Sequence, residues 1–142
     1  MPRVVLDTNV LLRAVLRPSG PSGHLWHRRA ELVLCSSAET IAEFTEVCSR
    51  AALRAKATSL TDAAVEAVAA VLRQSVHVEQ PPPVSVCRDP HDDKFIACAL
   101  ATDAPYVVTE DKDLLELDGF EGLRIVPPAE FAQLLDEEDS HE

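Results

Sequence analysis

The sequence predicts an α/β protein in which a parallel sheet of about five strands carries helices on both faces. Three observations predict it. Short apolar runs such as Val4-Val5-Leu6 and Tyr106-Val107-Val108-Thr109 have the length and β-branched content of buried strands. Stretches of helical spacing separate these runs. Strands that alternate with helices pair in parallel through right-handed crossovers.

Taken in order, Val4-Val5-Leu6 delivers Asp7 at the carboxyl end of the first strand, and Val10 to Leu16 follows with helical spacing. In open α/β sheets, ligands bind at that end of the strands. Asp7 also suits a helix cap, so both readings stand at this point. Arg17-Pro18-Ser19-Gly20-Pro21-Ser22-Gly23 is turn-rich, and a helix through Leu25, Trp26 and Ala30 comes next. Leu32 to Cys35 is the second strand, closed by the turn-type Ser36-Ser37. Ala38 to Arg50 is a helix with Ile41, Phe44 and Val47-Cys48 on one side and Glu43 beside them; a lone Glu there is ordinarily a solvated flank. Residues 51 to 60 are Ala-rich helix and loop.

A helix opens at Thr61-Asp62 with Ala64, Val65, Val68, Val71 and Leu72 as its stripe, and Val76-His77-Val78 is a short third strand. Pro81-Pro82-Pro83 makes a rigid crossing segment, not a domain boundary. Pro90 fixes the chain before a helix whose first turn holds Asp92 and Asp93, where the helix dipole favours anions. After Tyr106 to Thr109, Glu110-Asp111-Lys112-Asp113 repeats the strand-then-acid arrangement of Asp7. Leu123 to Val126 is the last strand, and Pro127-Pro128 opens a final helix, Ala129 to Leu135.

The chain of 142 residues sets one domain as the expectation, at 1–135. Residues 136–142, with Asp136-Glu137-Glu138-Asp139, read as a frayed acidic C-terminal tail. Hydrophobic residues make up 46% and aromatics only 4%, so the core must be Ala, Val and Leu. No run approaches the roughly 18 apolar residues of a membrane span, and the N-terminus lacks a signal-peptide pattern. The expectation is a cytoplasmic protein with no membrane partner. Cys35, Cys48, Cys87 and Cys98 form no C-x-x-C pair, which argues against a zinc or redox site and for reduced, mostly buried thiols. His24 and His27 have no further ligand type beside them and read as surface residues.

The formal charge is −11, the wrong sign for gripping a phosphate backbone by bulk electrostatics. Either the acids are a solvated surface, or some line a pocket where a cation inverts the local field. Their positions favour the pocket. Asp7 and Asp111 follow strands, Asp93 opens a helix and Glu43 lies on the helix after the second strand, so a parallel sheet can bring all four to one end. Two carboxylates about 4 Å apart repel by about 4 kcal/mol at an effective dielectric of about 20. Such a cluster persists with a cation, with protons, or for a functional reason. Oxygen ligands without His or Cys point to Mg²⁺ or Mn²⁺, which act on phosphate esters.

The ordered set Asp7-Thr8-Asn9, Glu43, Asp93-Lys94-Phe95-Ile96-Ala97 and Thr109-Glu110-Asp111-Lys112-Asp113 resembles the PIN domain family, most of all its VapC-like branch of toxins from toxin–antitoxin pairs. The resemblance spans roughly residues 3 to 126. It implies a PIN-like three-layer fold and a metal-dependent endoribonuclease, the toxin of a two-gene pair, with an RNA substrate, a small antitoxin protein as partner and a homodimer or larger assembly. Asp7, Glu43, Asp93 and Asp111 are then the metal-holding catalytic acids. Asp92 precedes Asp93 and Asp113 follows Asp111, so the register of the third and fourth acids is open to one acidic neighbour each. Asp93 is favoured because Phe95-Ile96-Ala97 follows it, and Asp111 because it lies two residues after Thr109. Thr8 and Asn9 support the site or touch substrate, Thr109 orients Asp111 or a water, and Arg13, Arg17, Arg88 or Lys112 either neutralise phosphate or are solvated surface residues. Three other readings compete: a PIN-domain RNA-processing nuclease without a toxin role, an aspartyl phosphotransferase and a catalytically idle binding fold. The phosphotransferase would carry an Asp where Asn9 stands, and the idle fold leaves the clustered acids without a purpose.

Overall fold

A computed structural model describes residues 1–140. Five strands, β1 (Arg3–Leu6), β2 (Val33–Ser37), β3 (Val76–Val78), β4 (Tyr106–Val108) and β5 (Arg124–Val126), form one parallel sheet in the order β3-β2-β1-β4-β5. Val4 of β1 pairs with Leu34 on one side and Tyr106 on the other. The chain therefore winds outward from β1 in one direction, then crosses to β4 and winds in the other. The strand order reverses between β1 and β4, which is where such sheets leave a crevice at their carboxyl ends.

The sheet's period-2 alternation sorts two cores. Val4, Leu6, Leu34, Val108 and Val126 face one layer with residues of α1 (Thr8–Leu16), α2 (Pro21–His27), α3 (Ala38–Cys48), α5 (Asp62–Gln74) and α8 (Pro128–Ser140). Val5, Cys35, Val107 and Ile125 face the opposite layer with residues of α6 (Asp93–Ala101) and α7 (Lys112–Leu115). The result is the expected three layers. A further short helix, α4 (Ala51–Lys56), follows α3. Cys35, Cys48 and Cys98 are free and buried, and Cys87 is free and half-buried.

Several boundaries differ from the sequence expectation, each for a local reason. β2 continues through Ser36 and Ser37, because the Ser37 hydroxyl caps α3 at the Thr40 N–H and Thr40 returns the bond to the Ser37 N–H. The helix through Trp26 stops at His27, and Ala30 lies in a separate 3₁₀ turn, Arg29–Glu31. A second 3₁₀ turn, Pro90–Asp92, precedes α6. The last helix does not end at Leu135. It runs to Ser140, so Asp136 to Asp139 are helical and not a frayed tail. The Arg28 guanidinium reaches Asp136 at 2.7 Å and Asp139 at 3.5 Å across the domain, which ties this stretch down. The rest of the expected tail, residues 141 and 142, lies outside the described residues.

Candidate active site

Asp7 leaves β1 at the strand-order reversal and is 4% exposed. It acts as cap and cluster member together. Its Oδ1 accepts the Val10 N–H at 2.8 Å and its Oδ2 accepts the hydroxyl of Thr109, just past the end of β4. The fully buried Thr109 also accepts the Asp111 N–H at 3.0 Å, so one hydroxyl ties the ends of the two central strands together. Asp111 in turn caps α7 by accepting the Asp113 N–H at 2.8 Å. Glu43, on α3, accepts the Thr8 hydroxyl at Oε2 and the Lys94 ammonium at Oε1, the latter at 2.7 Å.

Asp7, Thr8, Asn9, Glu43, Asp92 and Asp111 line one cavity of about 240 Å³, with Val47 and Phe95 as apolar walls. Of the adjacent pair, Asp92 is the one that lines this cavity. Asp93, expected there from Phe95-Ile96-Ala97, is not in the cavity. Its Oδ1 accepts the N–H groups of Val86 at 3.0 Å and Cys87 at 2.8 Å, and the residue borders a separate cavity. The cause is the 3₁₀ turn. Asp89 accepts the His91 N–H, the chain turns through Pro90–Asp92, and α6 begins one residue later than the cluster acid.

Burial and charge distinguish the neighbours. Burial, and behind it the Asp111 and Glu43 charges, push the Asp7 carboxyl up to about 6 against the pull of Thr109 and Val10. Burial first, then Asp111, Asp89 and Asp7, push Asp92 up to about 7. For Asp93 burial is outweighed by the Cys87 and Val86 N–H groups, which hold it below the usual carboxylate range.

The donor set fits a hard divalent cation. Asp92 Oδ2 is buried and meets no donor. Its neighbour Asp111 is a second acceptor, so the two need a shared proton, a bridging water or a cation between them. Among the described residues no three acidic, His or Cys groups already stand in metal-holding geometry. Asp7, Asp92, Asp111 and Glu43 are the residues that would close on an ion.

The supporting residues divide. Asn9 is exposed at the cavity rim. Asp113 faces away, 3.9 Å from Arg88, which also pairs with Glu116 at 3.3 Å. Arg13 pairs with Glu110, and Lys112 is exposed on α7. The sequence reading assigned no role to Lys94, whose side chain is 8% exposed and also reaches the His91 carbonyl at 2.7 Å. Asp89 and His91, on the same turn, also line the cavity. The one signal for Lys94 was a cation placed directly after two acids. Among the described residues no helix is long and apolar enough to cross a membrane.

Comparison with known proteins places the chain in a family. The chain is 32% identical over 117 residues to the uncharacterized protein MJ1680 of Methanocaldococcus jannaschii, covering 81% of this chain and 74% of that one. The PIN domain family matches residues 3–113. With that match added to the parallel sheet and the acids at its strand-order reversal, the chain belongs to the PIN domain family, whose members are generally nucleases that use divalent metals.

Proposed function

We propose that the chain is a Mg²⁺- or Mn²⁺-dependent endoribonuclease that hydrolyses RNA phosphodiester bonds at Asp7, Glu43, Asp92 and Asp111. The observation that carries the reading is the convergence of these four acids on one cavity, with the Asp92 Oδ2 atom buried and without a donor. When bound, the metal supplies Lewis-acid polarisation of the phosphate and of a water. The chain's residues do the rest. Thr109 fixes Asp7 against Asp111. Lys94 and Thr8 hold Glu43 from opposite oxygens, and the ammonium offsets one negative charge where a phosphate must enter. Val47 and Phe95 lower the local dielectric on one wall.

The test is cleavage of single-stranded RNA with Mn²⁺ and with EDTA. Cleavage should stop in EDTA; undiminished cleavage in excess chelator overturns the metal reading. Asp92→Asn should abolish turnover, whereas Asp93→Asn should retain it, since Asn still offers an oxygen to Val86 and Cys87. The opposite ranking would return the third position to Asp93.

We further propose that this activity serves as the toxin of a two-gene pair, with a small antitoxin protein as partner and a homodimer or larger assembly. The resemblance of the acid motifs to the VapC-like branch supports it. Expression should arrest growth, and co-expression of a small adjacent gene should relieve the arrest. Cleavage without arrest would favour an RNA-processing role.

A further inference from the structure

A second cavity, of about 470 Å³, is built on the same loop and helix as the acid site and has no role in the chemistry above. The two share the loop after β4: Glu110 borders one and Asp111 the other. They also share α1. Asp7 caps its start, and Arg13 lies six residues on, about 9 Å along the axis at about 1.5 Å per residue.

The second cavity is lined by Arg13, Arg17, Ser22 and Glu110. Arg13 and Glu110 form an ion pair with side chains 52% and 39% exposed. An ion pair so exposed is weak and readily exchanged. No carboxylate among the described residues pairs with Arg17. Ser22 is 4% exposed, and no partner among the described residues meets its hydroxyl. Two arginines, one carboxylate and an unpartnered hydroxyl leave this pocket at +1 in a chain of −11.

We propose that this cavity is a subsite for an RNA phosphodiester next to the one being cut, an inference that rests on the ribonuclease reading. Arg17 and Ser22 hold the phosphate, and Arg13 joins them when the phosphate replaces Glu110. Guanidinium forks suit that geometry. Glu110 keeps Arg13 over the cavity in the free protein and repels isolated anions. A strand already held at the acid site presents its next phosphate at high effective concentration and displaces Glu110. A protein of strongly negative charge can in this way hold a polyanion along one track.

Two measurements test the subsite: steady-state cleavage of RNA oligonucleotides with Mn²⁺, and RNA binding in EDTA by fluorescence anisotropy. Arg13→Ala and Arg17→Ala should each raise KM by about tenfold at low salt, and the KM ratio to wild type should grow with oligonucleotide length. Each should also reduce the salt slope of binding by about 0.7. Arg17→Lys should recover the slope and only part of the KM. Glu110→Gln should lower KM by releasing Arg13. Arg73→Ala, which removes the same charge from the Glu66 pair on α5, should leave KM unchanged. The subsite is overturned if Arg13→Ala and Arg17→Ala behave like Arg73→Ala while wild type cleaves. Binding that depends on both arginines without any cleavage would keep the subsite and fail the ribonuclease reading. Wild type that neither binds nor cleaves RNA overturns both.

Discussion

Asp92 and Asp93 are chemically identical neighbours in opposite surroundings. One lacks any donor at a buried oxygen, and the other holds two backbone N–H groups. Asp93→Ala should therefore destabilise the fold by about 1–2 kcal/mol, read by melting, because Val86 and Cys87 lose their acceptor. The pH dependence follows from the other carboxyls. Asp7 rises from 3.8 to about 6 and Asp92 from 3.8 to about 7 on folding. A raised folded pKa contributes stability that is full below about pH 4 and is lost as pH climbs through about 6 to 7. In EDTA the melting temperature should fall from about pH 5 to about pH 8, and Asp92→Asn should flatten that fall. A melting temperature that climbs over this range would show that the acids do not oppose one another. The choice between Asp92 and Asp93 was not legible in the sequence. Periodicity through Phe95 and Ile96 marks a helix, but adjacent helical residues point about 100° apart. The three-residue turn that selects one of them is too short to leave a period.

At the scale of elements, the site is a joint between strand ends. Thr109→Val should leave Asp7 Oδ2 without its donor and the Asp111 N–H without its acceptor, costing about 2–3 kcal/mol and the activity. Asp7 serves two elements, and two substitutions separate its roles. Asn keeps an acceptor for the Val10 N–H while removing a buried charge, so Asp7→Asn should melt at or above wild type in EDTA and show a smaller Mn²⁺ shift. Asp7→Ala also loses the cap, worth about 1 kcal/mol, and should melt below Asp7→Asn. The strands and most helices were legible because their apolar periods are strong. The length of α8 was not. Its last turns look like solvated charge until Arg28, more than a hundred residues earlier, supplies their partner. Ser36-Ser37 misled for a related reason: hydroxyl residues that suggest a turn were finishing a buried strand and capping a helix.

For the molecule as a whole, the apo state carries −11 in formal charge and gathers Asp7, Glu43, Asp89, Asp92 and Asp111 around one cavity. Mn²⁺ at about 100 times its dissociation constant should add about 2.7 kcal/mol by mass action, or roughly 5–10 °C in melting temperature. A metal-independent melting curve would contradict the assignment of the cavity. The α/β architecture was readable from alternation alone. Which of the candidate cations share a pocket was not, because Arg13, Arg17, Arg88 and Lys112 look alike in sequence until folding sets Arg13 and Arg17 beside Ser22 and Glu110. The strand order carries a consequence for biosynthesis. Asp7 is made 102 residues ahead of Thr109, the hydroxyl that holds it against Asp111. At about 5–20 residues per second that is about 5–20 s of translation. Throughout it the nascent chain holds Asp7 without the neighbours that bury it and oppose its charge. The cavity that Asp7 shares with Asp111 therefore cannot assemble until both strand ends have been made.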